Sequence, residues 1–255
     1  MRSDSSFAYA QARMQARLGS RLRSSEWLRL QAIRDLPVVL QSLRDGGFAN
    51  QVSGLTARST VHEIERRVRE GWLMSVDEVA SWQPKGWRPA TRWLRWLAYL
   101  PGLQKLARRG RAPDWMRTDP VLGPIVAQDL PARPAALAAT SLAPLAAGFT
   151  ATPDLTGAWL AHWFGTWPRL RTPAHTGGLI DALVDYRERL ESLPPGESSQ
   201  PLHDVLEHRL MMIFRRSTMS AVATFAYLGL HGMDSARVRG TLALQAIREG
   251  GEPAP

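Results

Sequence analysis

The chain has no cysteine among its 255 residues, which excludes disulfide bonds, thiolate chemistry and cysteine-based zinc sites. It also lacks a long uncharged apolar run. The stretch from Ala135 to Phe149 is alanine-rich and contains Pro144, and the stretch from Met211 to Leu230 contains Arg215 and Arg216. We expect no membrane span, because crossing a bilayer takes about 20 consecutive apolar residues. The N-terminus shows no secretory signal pattern, so a cytoplasmic location is expected.

Signals of β-structure and of familiar catalytic sites are missing too. No segment alternates apolar and polar residues over several positions, and no hairpin turn is flanked by such alternation. Neither a glycine-rich phosphate loop nor a Gly-x-Ser-x-Gly nucleophile motif occurs. His203 and His208 are five residues apart, which does not direct both toward one metal as a four-residue spacing does. We therefore predict no catalytic, cofactor-binding or metal-binding residues.

Helical periodicity is present along most of the chain. Thr60 and Glu63 form a possible capping box, and apolar residues then recur every three or four positions as far as Val79. A second helix is predicted to begin near Pro89 and to end at the Pro101-Gly102 step. A third ends at Pro194-Pro195-Gly196, followed by a long helical run from Pro201 to Leu230. The predicted fold class is all-α, with two or three packed helical lobes in a funnel-like or elongated array.

Proline-rich segments predict the domain boundaries, since proline disrupts a continuing helix. The richest internal segment contains Pro120, Pro124 and Pro131. We predict an N-terminal basic, tryptophan-rich lobe at 1–118, a connector at 119–131, a C-terminal lobe at 132–250, and a mobile tail at 251–255.

The net charge of +9 is distributed unevenly. Between Lys85 and Arg117, nine Lys and Arg residues accompany a single Asp. Five tryptophans lie in or beside this stretch, but Trp93 and Trp96 share a helical stripe with leucines, which favours burial or a protein interface over base stacking. The arginines would then form the rim of an interface for an acidic protein, a lipid headgroup layer or a nucleic acid.

The first helix carries arginines four residues apart, which lie on one face. This stripe is either a solvated helix face or a docking edge. The candidate partner-binding residues are those of the stripe, with its preceding tyrosine, and four arginines of the basic stretch: Tyr9, Arg13, Arg17, Arg21, Arg92, Arg95, Arg108 and Arg109.

Two segments resemble a known family. Residues 7–17, FAYAQARMQAR, resemble the opening helix of the C-type (in eukaryotes, d-type) central-stalk family of the V/A-type rotary ATPases. Residues 227–239, YLGLHGMDSARVR, resemble that family's helix, glycine-containing turn and following helix, for which Asp234 would be the N-cap. Family members commonly exceed 300 residues in three helical lobes, so this chain would be a shortened member.

The resemblance implies a non-catalytic coupling subunit. Such a subunit links the membrane proteolipid ring to the central stalk, at the cytoplasmic face of the membrane, and carries torque between ion flow and ATP turnover. Its partners would be ring and stalk subunits, and no cofactor is implied. Two alternatives stay open: a basic helical module that binds nucleic acid or regulates, and an all-α enzyme with a divalent metal at Asp181, Asp185 and His203.

Overall fold

The computed structural model describes residues 2–108, 112, 114–149, 154–168 and 176–250. These residues form helices and connecting turns with no strand among them, which confirms the predicted all-α class. The predicted tail at 251–255 lies outside the described residues. The α-helices, numbered α1 to α14 in chain order, are Arg2–Gly19, Ser24–Ala32, Leu36–Leu43, Ala49–Val52, Val61–Trp82, Arg88–Trp93, Leu100–Ala107, Asp114–Thr118, Gly123–Val126, Arg133–Ala138, Leu155–Gly165, Thr176–Glu191, Gln200–Arg216 and Ala221–Gly250.

The chain divides into two compact units. The larger unit comprises residues 1–91 and 169–255, and the smaller unit comprises residues 92–168. This division differs from the one predicted from the prolines, because residues 119–131 lie inside the smaller unit. Pro124 and Pro134 occupy the first turns of α9 and α10, and Pro131 opens a 3₁₀ turn. A proline at the start of a helix removes an N–H that has no helical partner, so these prolines begin helices without separating lobes.

The larger unit is built around α14, which packs against α1, α3, α5 and α13. A buried apolar cluster joins the C-terminal half of α14 to the helices that precede it in sequence by about 200 residues. Its members come from α2, α3, α4, α5, the adjoining turns and α14: Trp27, Leu30, Leu36, Val39, Leu40, Leu43, Phe48, Val52, Leu55, Ile64, Val68, Val238 and Leu242. Removal of this apolar surface from water holds the two chain ends in one unit.

Helix α5 begins where the sequence predicted. The Thr60 hydroxyl accepts a hydrogen bond from the Glu63 backbone N–H at 3.3 Å, and the Glu63 carboxylate accepts one from the Thr60 N–H at 2.7 Å. This capping box satisfies two backbone donors that the helix itself cannot pair. The helix extends to Trp82, and its apolar face, which includes Val68, Val76 and Val79, is buried.

Helix α14 continues without a break through the segment that was expected to contain a turn. The prediction that Asp234 is an N-cap is therefore wrong: it lies in the middle of a 30-residue helix. The two glycines permit close approach of neighbouring helices. A Cβ at Gly229 would lie 3.0 Å from Leu210 of α13, and one at Gly232 would lie 3.4 Å from Trp72 of α5. No proline interrupts the helix, so packing outweighs the low helix propensity of glycine.

The predicted helical run from Pro201 to Leu230 is two helices, because the chain turns between α13 and α14. Met219, in that turn, has a φ of 56°, a left-handed conformation that ends a helix. Helix α12 packs against α13, and the turn between them contains Gly196 with a φ of 90°, at the site where a helix end was predicted.

The smaller unit contains α7 to α11, and α7 packs against α11. The prediction that Pro101-Gly102 ends a helix is wrong, because Pro101 lies in the first turn of α7. The preceding segment, Leu94–Tyr99, is a 3₁₀ helix. Trp93 donates a hydrogen bond from its indole N–H to the Trp159 backbone oxygen at 3.1 Å. Among the helices of the described ranges, none has both the length and the apolar character to traverse a bilayer.

Candidate functional site

The first two arginines of the α1 stripe contact the end of α5. Arg13 also donates a hydrogen bond to the Tyr9 hydroxyl at 2.6 Å. The guanidinium groups of Arg13 and Arg17 lie over the Trp82 ring, with Cζ 4.8 Å and 4.9 Å from its centroid. Arg17 also donates a 2.7 Å hydrogen bond to Glu78. These arginines remain partly exposed, so this end of the stripe is accessible while it stabilises the contact between α1 and α5.

The third stripe residue, Arg21, lies in a charged joint between α1, α13 and α14. Its Nε and Nη2 donate to the two carboxylate oxygens of Asp234 at 2.6 Å and 2.7 Å, a bidentate arrangement. Nη2 also lies 3.2 Å from Glu207 of α13. The side chain of Arg21 is 13% exposed and that of Asp234 is 3% exposed. The structure thus gives Arg21 an internal partner, and it offers little surface to another molecule.

Glu207 connects the joint to a second arginine. Arg237, one turn beyond Asp234 on α14, lies 2.8 Å from Glu207, and the same arginine lies 3.7 Å from Asp204. Burial lowers the pKa of Arg21, but the hydrogen bonds and charges of Asp234 and Glu207 outweigh it and raise the pKa overall. Burial raises the pKa of Asp234, and Arg21 opposes that rise. We name the set Arg21, Glu207, Asp234 and Arg237 the charged joint.

His231 lies one turn before Asp234, between two aromatic rings. The Trp72 ring stacks on it at a centroid distance of 6.0 Å and the Tyr227 ring at 6.3 Å. One imidazole nitrogen is 3.2 Å from the Gln51 amide nitrogen. Burial, together with the positive charges of Arg17 and Arg21, lowers the pKa of His231 to about 4. The imidazole is therefore neutral near pH 7.

The remaining predicted interface residues lie in the basic stretch. Arg92 and Arg108 are exposed, and neither contacts a carboxylate among the described residues. Arg95 is half-buried, and its Cζ lies 5.0 Å from the centroid of the Trp96 ring. Arg109 is outside the described residues. The structure thus brings together the α1 residues on one helix face and, separately, Arg92 and Arg95 on one short segment.

The residues of the metal-site alternative have other partners. Asp185 pairs with Arg189 at 2.8 Å and with Arg209 at 2.5 Å. His203 hydrogen-bonds to the Ser199 carbonyl at 2.7 Å and lies 3.1 Å from the Tyr186 hydroxyl. Within the part of the chain that the structure describes, no group of three His, Asp or Glu residues is arranged to hold a metal ion.

Sequence reasoning did not identify the carboxylates that meet the stripe. Asp234 is 213 residues from Arg21, and Glu78 is 61 residues from Arg17. An acidic residue inside an otherwise apolar and small-residue helix was the available signal, because an unpaired buried carboxylate is costly. It indicates a buried partner of opposite charge but does not identify that partner.

The fold and the joint define an all-helical protein whose α1 is fixed to α14 by a buried ion pair. Comparisons with protein-family models, with curated proteins and with solved structures find no match.

Proposed function

We propose that the chain is a non-catalytic coupling subunit of a V/A-type rotary ATPase. In this role it links the proteolipid ring to the central stalk, at the cytoplasmic face of the membrane. The observation that carries the proposal is the packing of α1 against α14. Residues 7–17 of α1 and 227–239 of α14 are the two segments that resemble that family, and they form one structural element although they stand at opposite ends of the chain.

The charged joint supports a mechanical role. A subunit that carries torque must keep its helices in fixed register, and a bidentate ion pair has one favourable geometry. Arg21 and Asp234 supply that pair, while the rings of Trp72, His231 and Tyr227 stack between α5 and α14. Buried polar groups of this kind restrict alternative packings in several proteins, and close-packed interiors transmit strain. The proposal rests on these packed segments and does not use the turn that α14 lacks.

The test is copurification from cells that make the chain naturally. A tagged chain should be recovered with washed membranes and should capture the ATPase's ring and stalk subunits. Mild stripping without detergent should release it, because the proposed attachment is through protein surfaces. A tagged catalytic ATPase subunit should capture the chain in return, and an untagged strain is the control. Recovery only in the soluble fraction, with no ATPase subunit in either direction, would contradict the proposal.

The nucleic-acid alternative is tested on the same purified chain. Binding to duplex DNA through six or more phosphates would weaken about a thousandfold between 50 and 200 mM salt. Tight DNA binding with that salt dependence, together with failure of the copurification, would favour the alternative.

A further inference from the structure

A short cationic and aromatic surface is exposed on the smaller unit. It consists of Arg92, Arg95, Trp96 and Leu97, and we name it the Arg92 surface. Arg92 is exposed, Leu97 is 36% exposed and Trp96 is half-buried. The Trp96 ring is 5.7 Å from that of buried Tyr99, which supports it from the protein side. Arg92 and Arg95 are three residues apart, a spacing that brings side chains to the same side of a 3₁₀ or α-helix.

Carboxylates of the smaller unit are occupied elsewhere or distant in sequence. One Asp119 oxygen accepts hydrogen bonds from the backbone N–H groups of Val121 and Leu122, at 2.9 Å and 3.0 Å. Asp154 caps α11 through the Gly157 N–H at 2.8 Å. Arg92 has no carboxylate partner among the described residues. The Arg92 surface therefore carries positive charge that is not neutralised at Arg92.

We propose that the Arg92 surface binds an acidic amphipathic segment of a partner protein. Carboxylates of the partner would pair with Arg92 and Arg95, and one of its apolar side chains would lie on Leu97 and the edge of Trp96. Arginine and tryptophan are the residue types most enriched among the strongest contributors to protein interfaces. The inference rests on the proposed function only for the identity of the partner, which would be an acidic helix of the rotary motor.

The geometry favours a protein over other anionic partners. The Arg95 guanidinium lies over the Trp96 ring, so that face is not an open platform on which a base stacks. Leu97 is a contact for an apolar side chain and has no counterpart in a phosphate backbone. One leucine and one half-buried tryptophan offer too little apolar surface for stable insertion into a bilayer, which takes a broad amphipathic face.

The test is a binding titration with defined probes and the full chain. The primary probe is a fluorescein-labelled helical peptide of Glu and Leu in heptad spacing, and the comparison probe has Gln in place of every Glu. We expect the acidic peptide to bind at 150 mM salt and the Gln peptide to bind at least roughly tenfold more weakly. The double variant Arg92→Gln/Leu97→Ala should weaken binding of the acidic peptide roughly tenfold.

A matched control is available on α2. Leu28 is 68% exposed and is followed by an exposed arginine, so Leu28→Ala/Arg29→Gln removes the same side-chain types from the larger unit. This control should bind the acidic peptide as the wild type does. Equal losses in the two double variants would mean that binding follows net charge, and would overturn the proposal. So would tighter binding of duplex DNA, or of vesicles containing phosphatidylserine, that is lost in Arg92→Gln/Leu97→Ala.

Repeating the membrane copurification with both double variants separates this inference from the proposed function. If the wild type and Arg92→Gln/Leu97→Ala capture ATPase subunits equally, the surface inference fails and the function stands. If the wild type captures no ATPase subunit while peptide binding depends on Arg92 and Leu97, the function fails and the surface inference stands.

Discussion

Two groups of arginines in this chain, each spaced at helical intervals, have different surroundings. In the larger unit, Arg17 and Arg21 of α1 meet carboxylates from α5, α13 and α14 at distances of 2.6 to 3.2 Å. In the smaller unit, exposed Arg92 meets no described carboxylate. The spacing of basic residues along a helix therefore identifies a shared face, and the partner elements decide whether that face is internal. The comparison assigns α1 to structure and leaves the Arg92 surface for recognition.

The largest effect expected from this comparison is at Asp234. Replacing it with Ala leaves Arg21 in the charged joint without its bidentate partner, and should lower the free energy of unfolding by about 3 to 5 kcal/mol. Asp234→Asn keeps an acceptor and should cost less. Urea unfolding followed by circular dichroism measures both.

Asp204 supplies the control for that measurement. Its side chain is 62% exposed and it lies 3.7 Å from Arg237, so Asp204→Ala should change stability by at most about 1 kcal/mol. If Asp234→Ala costs no more than Asp204→Ala, the charged joint is not the structural element that we describe.

Local features of the fold were predictable from the sequence, and the joint was not. The capping box of Thr60 and Glu63 was predictable because both partners lie within one helical turn. The shared face of the α1 arginines follows from helix geometry in the same way. That Asp234 pairs with Arg21 depends on packing between α1 and α14, for which a single sequence gives no register. Pro101 was misread because proline both precedes and follows helix boundaries.

The second effect tests the stacked histidine beside the joint through its pH dependence. The pKa of His231 is about 4 in the folded chain, below its ordinary value of 6.5, so the unfolded chain binds the proton more tightly. The stability contributed by the neutral imidazole is full above pH 6.5 and is lost as the pH falls toward 4. The total loss is about 3 kcal/mol.

His231→Phe keeps a ring between Trp72 and Tyr227 and removes the titration. We expect the difference in unfolding free energy between wild type and variant to change by about 3 kcal/mol between pH 7 and pH 4. Taking this difference cancels the contribution of Asp234, whose raised pKa acts in the opposite direction. Exposed His62 is the control, and a pH dependence equal for His231→Phe and His62→Phe would contradict the assignment.

A smaller effect is expected at the accessible end of the stripe. Arg17 and Glu78 are both more than one third exposed, so solvent screens their attraction and Glu78→Gln should cost about 1 kcal/mol or less. The cost should shrink further in 1 M sodium chloride, where the screening length is about 3 Å. Thermal unfolding at low and high salt measures this dependence. A cost that is large and independent of salt would place this pair with Arg21 and Asp234, and would remove the gradient along α1.

The smallest expected effect on stability is at Arg92, and it completes the comparison. Removing a cation that has no described carboxylate partner deletes no folded-state ion pair, so Arg92→Gln should change the free energy of unfolding by about 0.5 kcal/mol or less. A binding loss in Arg92→Gln/Leu97→Ala would then reflect recognition, because the arginine change leaves the folded population unaltered. Urea unfolding of Arg92→Gln beside Arg29→Gln measures this. A cost of several kcal/mol at Arg92 alone would mean that this arginine, like Arg21, has a structural role.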